Sequence, residues 1–507
     1  MLSLLASHPR FTHRLRAVQY FSMGCVCLAA SSAYAGAWVD TGNWQVRHHL
    51  EVLVDARIIN IPISTWPVTW QSIEQGLASA DKSQLSPDQR ASYDQLVRAL
   101  QQSKKGLQVT QRSHLSTQPT GLKGFDQTGR DAITNTLGLT ATSEHFVANI
   151  QGTQTPAPAD TQSARADGSY MAGILGNWTI GAGAFDRWWG PAWQNSLILG
   201  DSARPTPGVF IQRNQAEGFS SPLLSWLGPW QLTSFLNELE ANRDVANAKY
   251  WGLRANLRPL KSVEIGFSRV AMFGGAGRSE SLQTLGDIIV GHDNRGDAGI
   301  SADGANEPGN QLAGMDLRWS WQLGQATGAY YMQVIGEDEA GGLPSRNIGM
   351  AGVEFHTSLW QIPSRILFEG SNTLCGFERA PHFYNAAYEH SIYTSGYRYR
   401  GRPLGASTDN DSEVYSLRGM HFLTNSRALT WTLLRGTLNG DATNAAPPGG
   451  NVYGSSKTHE THVSLGYEFL LLDKLNIALG ADYMSTPVSL AGDRIGSGGH
   501  INISSHW

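Results

Sequence analysis

The sequence predicts an all-β transmembrane protein: an antiparallel β-barrel of roughly 18 strands with a small α-helical bundle ahead of it. Three observations predict it. From Leu107 to Trp507, short segments alternate apolar and polar residues between Gly, Asn, Asp, Ser and Pro. Many run to about 8–12 residues, close to the roughly 9–11 that a tilted strand needs to cross a bilayer. Beyond the N-terminus there is no run of about 18–20 apolar residues, which excludes helical membrane spans. Composition agrees: 16% of the 507 residues are charged, below the roughly 25% of an average soluble domain, and Trp is as frequent as Tyr and Phe, at 16 each.

Residues 1–35 read as a secretory leader. Arg10, Arg14 and Arg16 form a basic start, Ala17–Ala30 is weakly apolar, and Ala33-Tyr34-Ala35 is a small-x-small cleavage site. Removal takes Cys25 and Cys27 and leaves Cys375 alone, so no internal disulfide is expected. It also leaves 35 Lys+Arg against 42 Asp+Glu, a net charge of −7. That balance excludes a general nucleic-acid binder.

Residues 36–106 are expected to be helical. Val46, Leu50, Leu53, Val54 and Ile58 recur near helical spacing. A turn over 61–67 precedes a second helix, Trp70–Ala80. Ser86-Pro87-Asp88-Gln89 then supplies an N-cap, a proline at the first helical position and the partner of a capping box. Tyr93, Leu96, Val97 and Leu100 form one stripe, and Gly106 ends the helix.

Residues 107–507 form the predicted barrel. Ser169–Leu175 and Trp178–Asp186 flank the hairpin signal Gly176-Asn177. Met315, Leu317, Trp319 and Trp321 share one alternating phase. The polar, glycine-rich stretches Gly274–Gln311, Glu337–Arg346, Arg400–Ser412 and Gly440–Ser456 are expected to be outer loops, since such barrels carry short turns on one side and long loops on the other. The last strand ends on Trp507, and a terminal aromatic is typical of bacterial outer-membrane barrels.

Three stretches resemble the capsule-assembly family called Wzi. The first is Leu50–Trp70, with Asp55-Ala56-Arg57-Ile58-Ile59 and Ser64-Thr65-Trp66-Pro67. The second is Asn177–Arg213, with Gly183-Ala184-Phe185-Asp186-Arg187-Trp188-Trp189-Gly190-Pro191, Ser196–Leu199, Ala203–Gly208 and Gln212-Arg213. The third is Tyr388–Ser412, with Tyr388–Tyr393, Gly396–Arg402 and Asp409-Asn410-Asp411. The resemblance runs through nearly the whole chain after the leader. It implies an outer-membrane barrel plugged at its periplasmic end by the N-terminal helices. It also implies a lectin-like role, holding capsular or related extracellular polysaccharide at the cell surface. The loop Gly274–Gln311 and the stretch Ala442–Gly454 depart from the family pattern.

Two groups have the chemistry of a polysaccharide site. In Asp186-Arg187-Trp188-Trp189, indole faces suit pyranose rings and a guanidinium suits a uronate carboxylate. Arg204 and Arg213 could extend that group. The competing reading makes the tryptophans a seal against the helices, with Asp186 paired to a lumenal Arg and Gly190-Pro191 a turn at the periplasmic end. In Gly396–Arg402, a strand would place Arg398, Arg400 and Arg402 on one face and Tyr397 and Tyr399 on the other. Cations facing lipid are costly, so the Arg row is expected in the lumen and the Tyr pair at the membrane. Asp409 and Asp411 could neutralise part of the row, making an ion-pair network the alternative to an anion-attracting stripe.

Enzymatic signals are poor, and no cofactor or metal is predicted. Glu337-Asp338-Glu339 reads as a solvated charge run. His48 and His49 are helix neighbours that do not face one another. His459 and His462 fall on opposite faces of a strand. Asp287–Asp303, with Asp293 and Asp297, lacks the spacing of an EF-hand. The expected function is non-enzymatic surface attachment of capsular or exopolysaccharide. An outer-membrane pore or export channel is the alternative, and a glycan hydrolase would need a carboxylate pair that sequence alone does not reveal. Outer-membrane lipid and the polysaccharide export machinery are the further expected partners.

Overall fold

The computed structural model describes residues 37–507 apart from 291–308, 325, 341–342, 379–381, 425, 444–449, 473 and 491–492. The predicted leader, Asp293 and Asp297 lie outside the described residues, as do the centres of the two departing loops.

Three helices precede the barrel. Helix α1 spans Trp44–Asp55, and the Asn43 side chain accepts from the Val46 N–H at 3.2 Å. Helix α2 spans Trp70–Ser79 and is capped by Thr69. Helix α3 spans Pro87–Ser103 and carries the expected capping box: the Gln89 N–H donates to Ser86 Oγ at 3.3 Å, and the Ser86 N–H to Gln89 Oε1 at 2.9 Å. Tyr93, Leu96 and Leu100 pack with Leu50, Leu53, Ile59 and Ile73 in one apolar core. Each stripe is buried by its neighbours, because helices this short gain their stability from packing. The turn before α2 contains a two-residue strand, Thr65–Trp66.

From Leu107 to His506 the chain forms a closed antiparallel barrel. Ala164–Arg165 and Tyr170–Leu175 both pair with Phe146–Gln154 and form one interrupted strand, so the barrel has 18 strands. The seam joins Leu107–Ser116 to Gly498–His506, with Thr110 opposite His506. Trp507 extends this ladder, donating to Val109 O at 2.9 Å and accepting from its N–H at 3.0 Å.

Alternation sorts the wall by solvent. Met315, Leu317 and Trp319 are exposed on the outside, while Asp316, Arg318 and Ser320 are buried in the lumen. That is the apolar-out, polar-in pattern that a lipid-facing strand requires. Among the described residues no helix is long and apolar enough to cross a membrane.

One barrel end has short turns, such as Gly176-Asn177 and Trp360-Gln361, and there the helices dock: Asp88 of α3 accepts from Ser358 Oγ at 2.5 Å. Gly176 takes a φ of 57°, the left-handed conformation that this turn needs. The other end carries the long connections 117–132, 184–207, 274–308, 373–412 and 439–457. The stretch Glu337–Arg346 is a correction. It is the tip of a hairpin between Ala326–Ala340 and Leu343–Leu359, closed at Ala340–Leu343, rather than a long loop. These strands of 15 and 17 residues exceed what crosses a bilayer. Their tip therefore stands in water, where charge does not mark a loop.

Candidate functional site

Segments enter the lumen from both ends and leave a cavity of about 380 Å³ along the wall that includes His114, Thr430 and His500. Helix α1 presents Arg47, Glu51 and Asp55 to wall residues Arg318, Glu354 and Arg365, and all six are buried. Arg365 Nη1 lies 2.5 Å from Glu51 Oε2 and also bonds Glu354, while Arg318 bonds both Asp55 and Glu354. Arg47 Nε closes the group on Glu51 Oε1 at 2.8 Å, with its guanidinium 4.0 Å from the Trp193 ring centroid. Three cations meet three carboxylates, so the network is neutral and each charge is compensated, which is the condition for burying charge at all.

Wall carboxylates also hold irregular backbone. Glu264 accepts from the Ile63 and Ser64 N–H groups, each at 2.9 Å, and from Ser64 Oγ at 2.6 Å. Glu369 accepts from the Trp193 and Gln194 N–H groups, each at 2.7 Å. Gln333 donates to Trp189 O and accepts from the Leu197 N–H, each at 2.9 Å. Gly190 permits that approach: a Cβ there would lie 2.9 Å from Gln333 Nε2, on a φ of 141°. Inserted segments lack ladder partners, and these side chains supply them.

The predicted group 186–189 belongs to this seal. Trp188 and Trp189 are fully buried and pair with Trp66 and Thr65 in a two-stranded antiparallel sheet, which joins loop 184–207 to the helical segment. Asp186 lies 2.5 Å from Arg130. Arg187 is buried between Phe185 and Phe235, and burial pushes its pKa down to about 10. The indole faces are therefore covered. The topology also corrects the expected periplasmic turn at Gly190-Pro191: the segment descends into the lumen from the long-loop end. Arg204 and Arg213 cannot extend one group, because they flank opposite ends of Gly208–Arg213. Arg204 bonds Asp160 and Asp167 at 2.5 and 2.7 Å, whereas Arg213 stacks on Trp230 with its guanidinium 3.9 Å from the ring centroid.

Gly396–Arg402 is not a barrel strand. It forms a small hairpin, Arg398–Tyr399 with Arg402–Pro403, inside connection 373–412. Tyr397 and Tyr399 are buried rather than membrane-facing, and the Tyr397 hydroxyl donates to Ile198 O at 2.6 Å. Strand alternation does not apply to a segment that packs among loops rather than between lipid and lumen. Arg398 meets Asp409 at 2.9 Å and Glu389 at 2.6 Å. Arg402 donates to the Thr120 and Arg130 carbonyls, and burial with Arg130 nearby lowers its pKa to about 10. Among the described residues Asp411 pairs with no Arg, and it accepts from the Asn385 N–H at 2.8 Å. Arg400 is half-buried, 3.9 Å from Asp160. The row is an internal brace with one cation near the rim.

Sequence reading missed the exposed face of this same connection. Phe383 and Tyr384 are 44% and 46% exposed and are followed by Asn385, which donates to Asp441 Oδ2 at 2.6 Å and Thr443 Oγ1 at 2.9 Å. Arg346 lies over Phe383, 5.7 Å from its centroid. The only available signal was the run Phe-Tyr-Asn inside a polar stretch. Asp55, Glu354 and His356 bring possible ligand atoms within 4.8 Å of one another. Arg318 already bridges the two carboxylates, so a guanidinium holds the place that a metal ion would take. His459 and His462 point apart, to Thr437 and Asp482 respectively.

Lipid-facing walls, a docked helical bundle and loops folded into the lumen define a plugged transmembrane β-barrel. The family model of the capsule assembly protein Wzi matches residues 101–491. The chain belongs to that family, and it is an outer-membrane protein. A solved structure with a TM-score of 0.80 and 26% identity covers 93% of this chain and 99% of its own: Wzi of Escherichia coli, an outer-membrane protein involved in group 1 capsule assembly and a carbohydrate-binding β-barrel. An uncharacterized 55.8 kDa protein in the cps region of Klebsiella pneumoniae is 33% identical over 344 residues. The match spans 66% of this chain and 65% of that protein's length.

Proposed function

We propose that this protein holds capsular or related extracellular polysaccharide at the outer surface, as a non-enzymatic, lectin-like attachment factor. The observation that carries the reading is the neutral, buried network between α1 and the barrel wall, which fixes the helices in the lumen. A barrel braced in this way serves as a scaffold for its surface loops. The Escherichia coli relative's carbohydrate binding supports the same reading. The contact surface we favour is Phe383, Tyr384 and Asn385, where aromatic faces lie beside amide and carboxylate groups. The side chains of 186–189, Arg398 and Arg402 position that surface from beneath, while Arg204, Arg213 and Arg400 brace the connections. Lipid surrounds the apolar outer wall, and the exposed face of α3 offers the export machinery a place to dock.

Capture of the purified full-length protein on immobilised capsular polysaccharide, against a neutral dextran control, tests this. Retention on the capsule alone is expected. Equal retention on both matrices, or on neither, contradicts it.

A further inference from the structure

A cavity of about 640 Å³ lies at the short-turn end, between helices α1 and α3 and the adjoining barrel wall. Its size falls in the range of small-molecule sites. His48, His49 and His356 line it, with Phe422 as an apolar wall and Arg98 and Arg427 exposed around it. His356 is 5% exposed, and neither of its ring nitrogens has a hydrogen-bond partner among the described residues. Buried polar atoms are seldom left unsatisfied, so an imidazole facing a roomy cavity in this state marks a place for an added donor and acceptor.

The chemistry of the lining restricts the occupant. Burial, aided by Arg365, holds His48 and His49 well below the usual imidazole range, so both are neutral at pH 7. A neutral imidazole has one donor and one acceptor, which suits a sugar hydroxyl at His356; His48 already accepts from Arg365 Nε at its Nδ1, at 3.2 Å, so its Nε2 is left as a donor. Phe422 stacks on His48 at 4.0 Å and adds apolar surface. Arg98 and Arg427 form no ion pair among the described residues, whereas the only carboxylate of the lining, Asp88, is engaged by Ser358. Two uncompensated guanidiniums beside a hydroxyl-binding floor suit a carboxylate carried on a sugar.

We propose that this cavity is a second saccharide site, at the periplasmic end, for a short carboxylated glycan unit. The site is separate from the outer loops, so it stands or falls independently of surface retention. An exported acidic polymer and the cell wall both offer such units.

The test is calorimetric titration of the full-length protein in detergent with three probes: glucuronosyl-glucose, its neutral counterpart cellobiose, and N-acetylmuramic acid. At least one acidic probe is expected to bind, and cellobiose about tenfold more weakly, the scale of one charged hydrogen bond. Arg98→Gln with Arg427→Gln should abolish that preference, and both positions are exposed, so folding is not at stake. His356→Phe should weaken all binding while the barrel still assembles. A preference for the glucuronoside assigns the exported polymer, and one for the muramic acid assigns the wall. Absence of binding, equal binding of cellobiose, or binding unchanged in the Arg98/Arg427 double variant overturns the proposal.

Discussion

Arg365 on the barrel wall lies 2.5 Å from Glu51 on helix α1, both fully buried, and this pair ties the helical segment to the lumen. Removing one partner of such a pair leaves an uncompensated buried charge, which costs about 3–5 kcal/mol. Glu51→Gln should therefore lower the thermal midpoint in detergent and raise single-channel current in planar bilayers. An unchanged midpoint and a silent bilayer would show that the helices are held by other contacts.

Trp188 couples an outer connection to the helices through its pairing with Trp66. Trp188→Ala opens a large cavity in that core and should cost about 3–5 kcal/mol. Limited proteolysis should then cut loop 184–207 in folded barrels. Wild-type resistance in the variant would dissociate the two elements.

The two ends should respond to pH with opposite sign. His49 is held down at about 3 by burial, with Arg365 and Arg98 adding to it. The unfolded chain binds its proton near 6.5, so this group's contribution is present above that pH and is lost as pH falls toward 3. Asp411, in connection 373–412, is raised to about 7 by burial, with Asp441 and Asp409 adding to it. Its contribution is full below the ordinary carboxylate range and is lost as pH rises through 7. Between pH 7.5 and 5, hydrogen-exchange protection, corrected for the intrinsic pH dependence of amide exchange, should fall in α1 and rise around residues 373–412. The same trend at both ends would refute this assignment.

Phe383→Ala with Tyr384→Ala removes two exposed aromatic faces and no core packing. Polysaccharide capture should fall about tenfold, as for loss of an aromatic hot spot, with the thermal midpoint unchanged. Full capture would move the contact surface elsewhere.

Much of the architecture was legible because lipid imposes a period-two code: Met315, Leu317 and Trp319 alternate with Asp316, Arg318 and Ser320 whatever the fold does elsewhere. The capping box of α3 was equally local. The candidate site was not. Arg398, Arg400 and Arg402 read as a strand face because alternation carries no mark of whether a segment joins the wall or folds inside it. Trp188 and Trp189 read either as a stacking platform or as a seal against the helices, because sequence does not reveal what covers an indole. The wall partners of Glu51 and Asp55 lie some 260–315 residues away, beyond any spacing argument. His48 and His49 were set aside as neighbours that do not face each other, yet their rings lie 5.0 Å apart and His356 comes within 5.1 Å of His48. A tertiary cavity brings the three together.

Attachment of glycan at the surface has a direct readout in cells. A deletion strain and its parent are scored for cell-bound and released extracellular polysaccharide. Total polymer is expected to stay unchanged and to shift from the cell surface into the medium, with reversal on complementation. A fall in exported polymer with accumulation inside the cell would contradict it and place the protein in the export path.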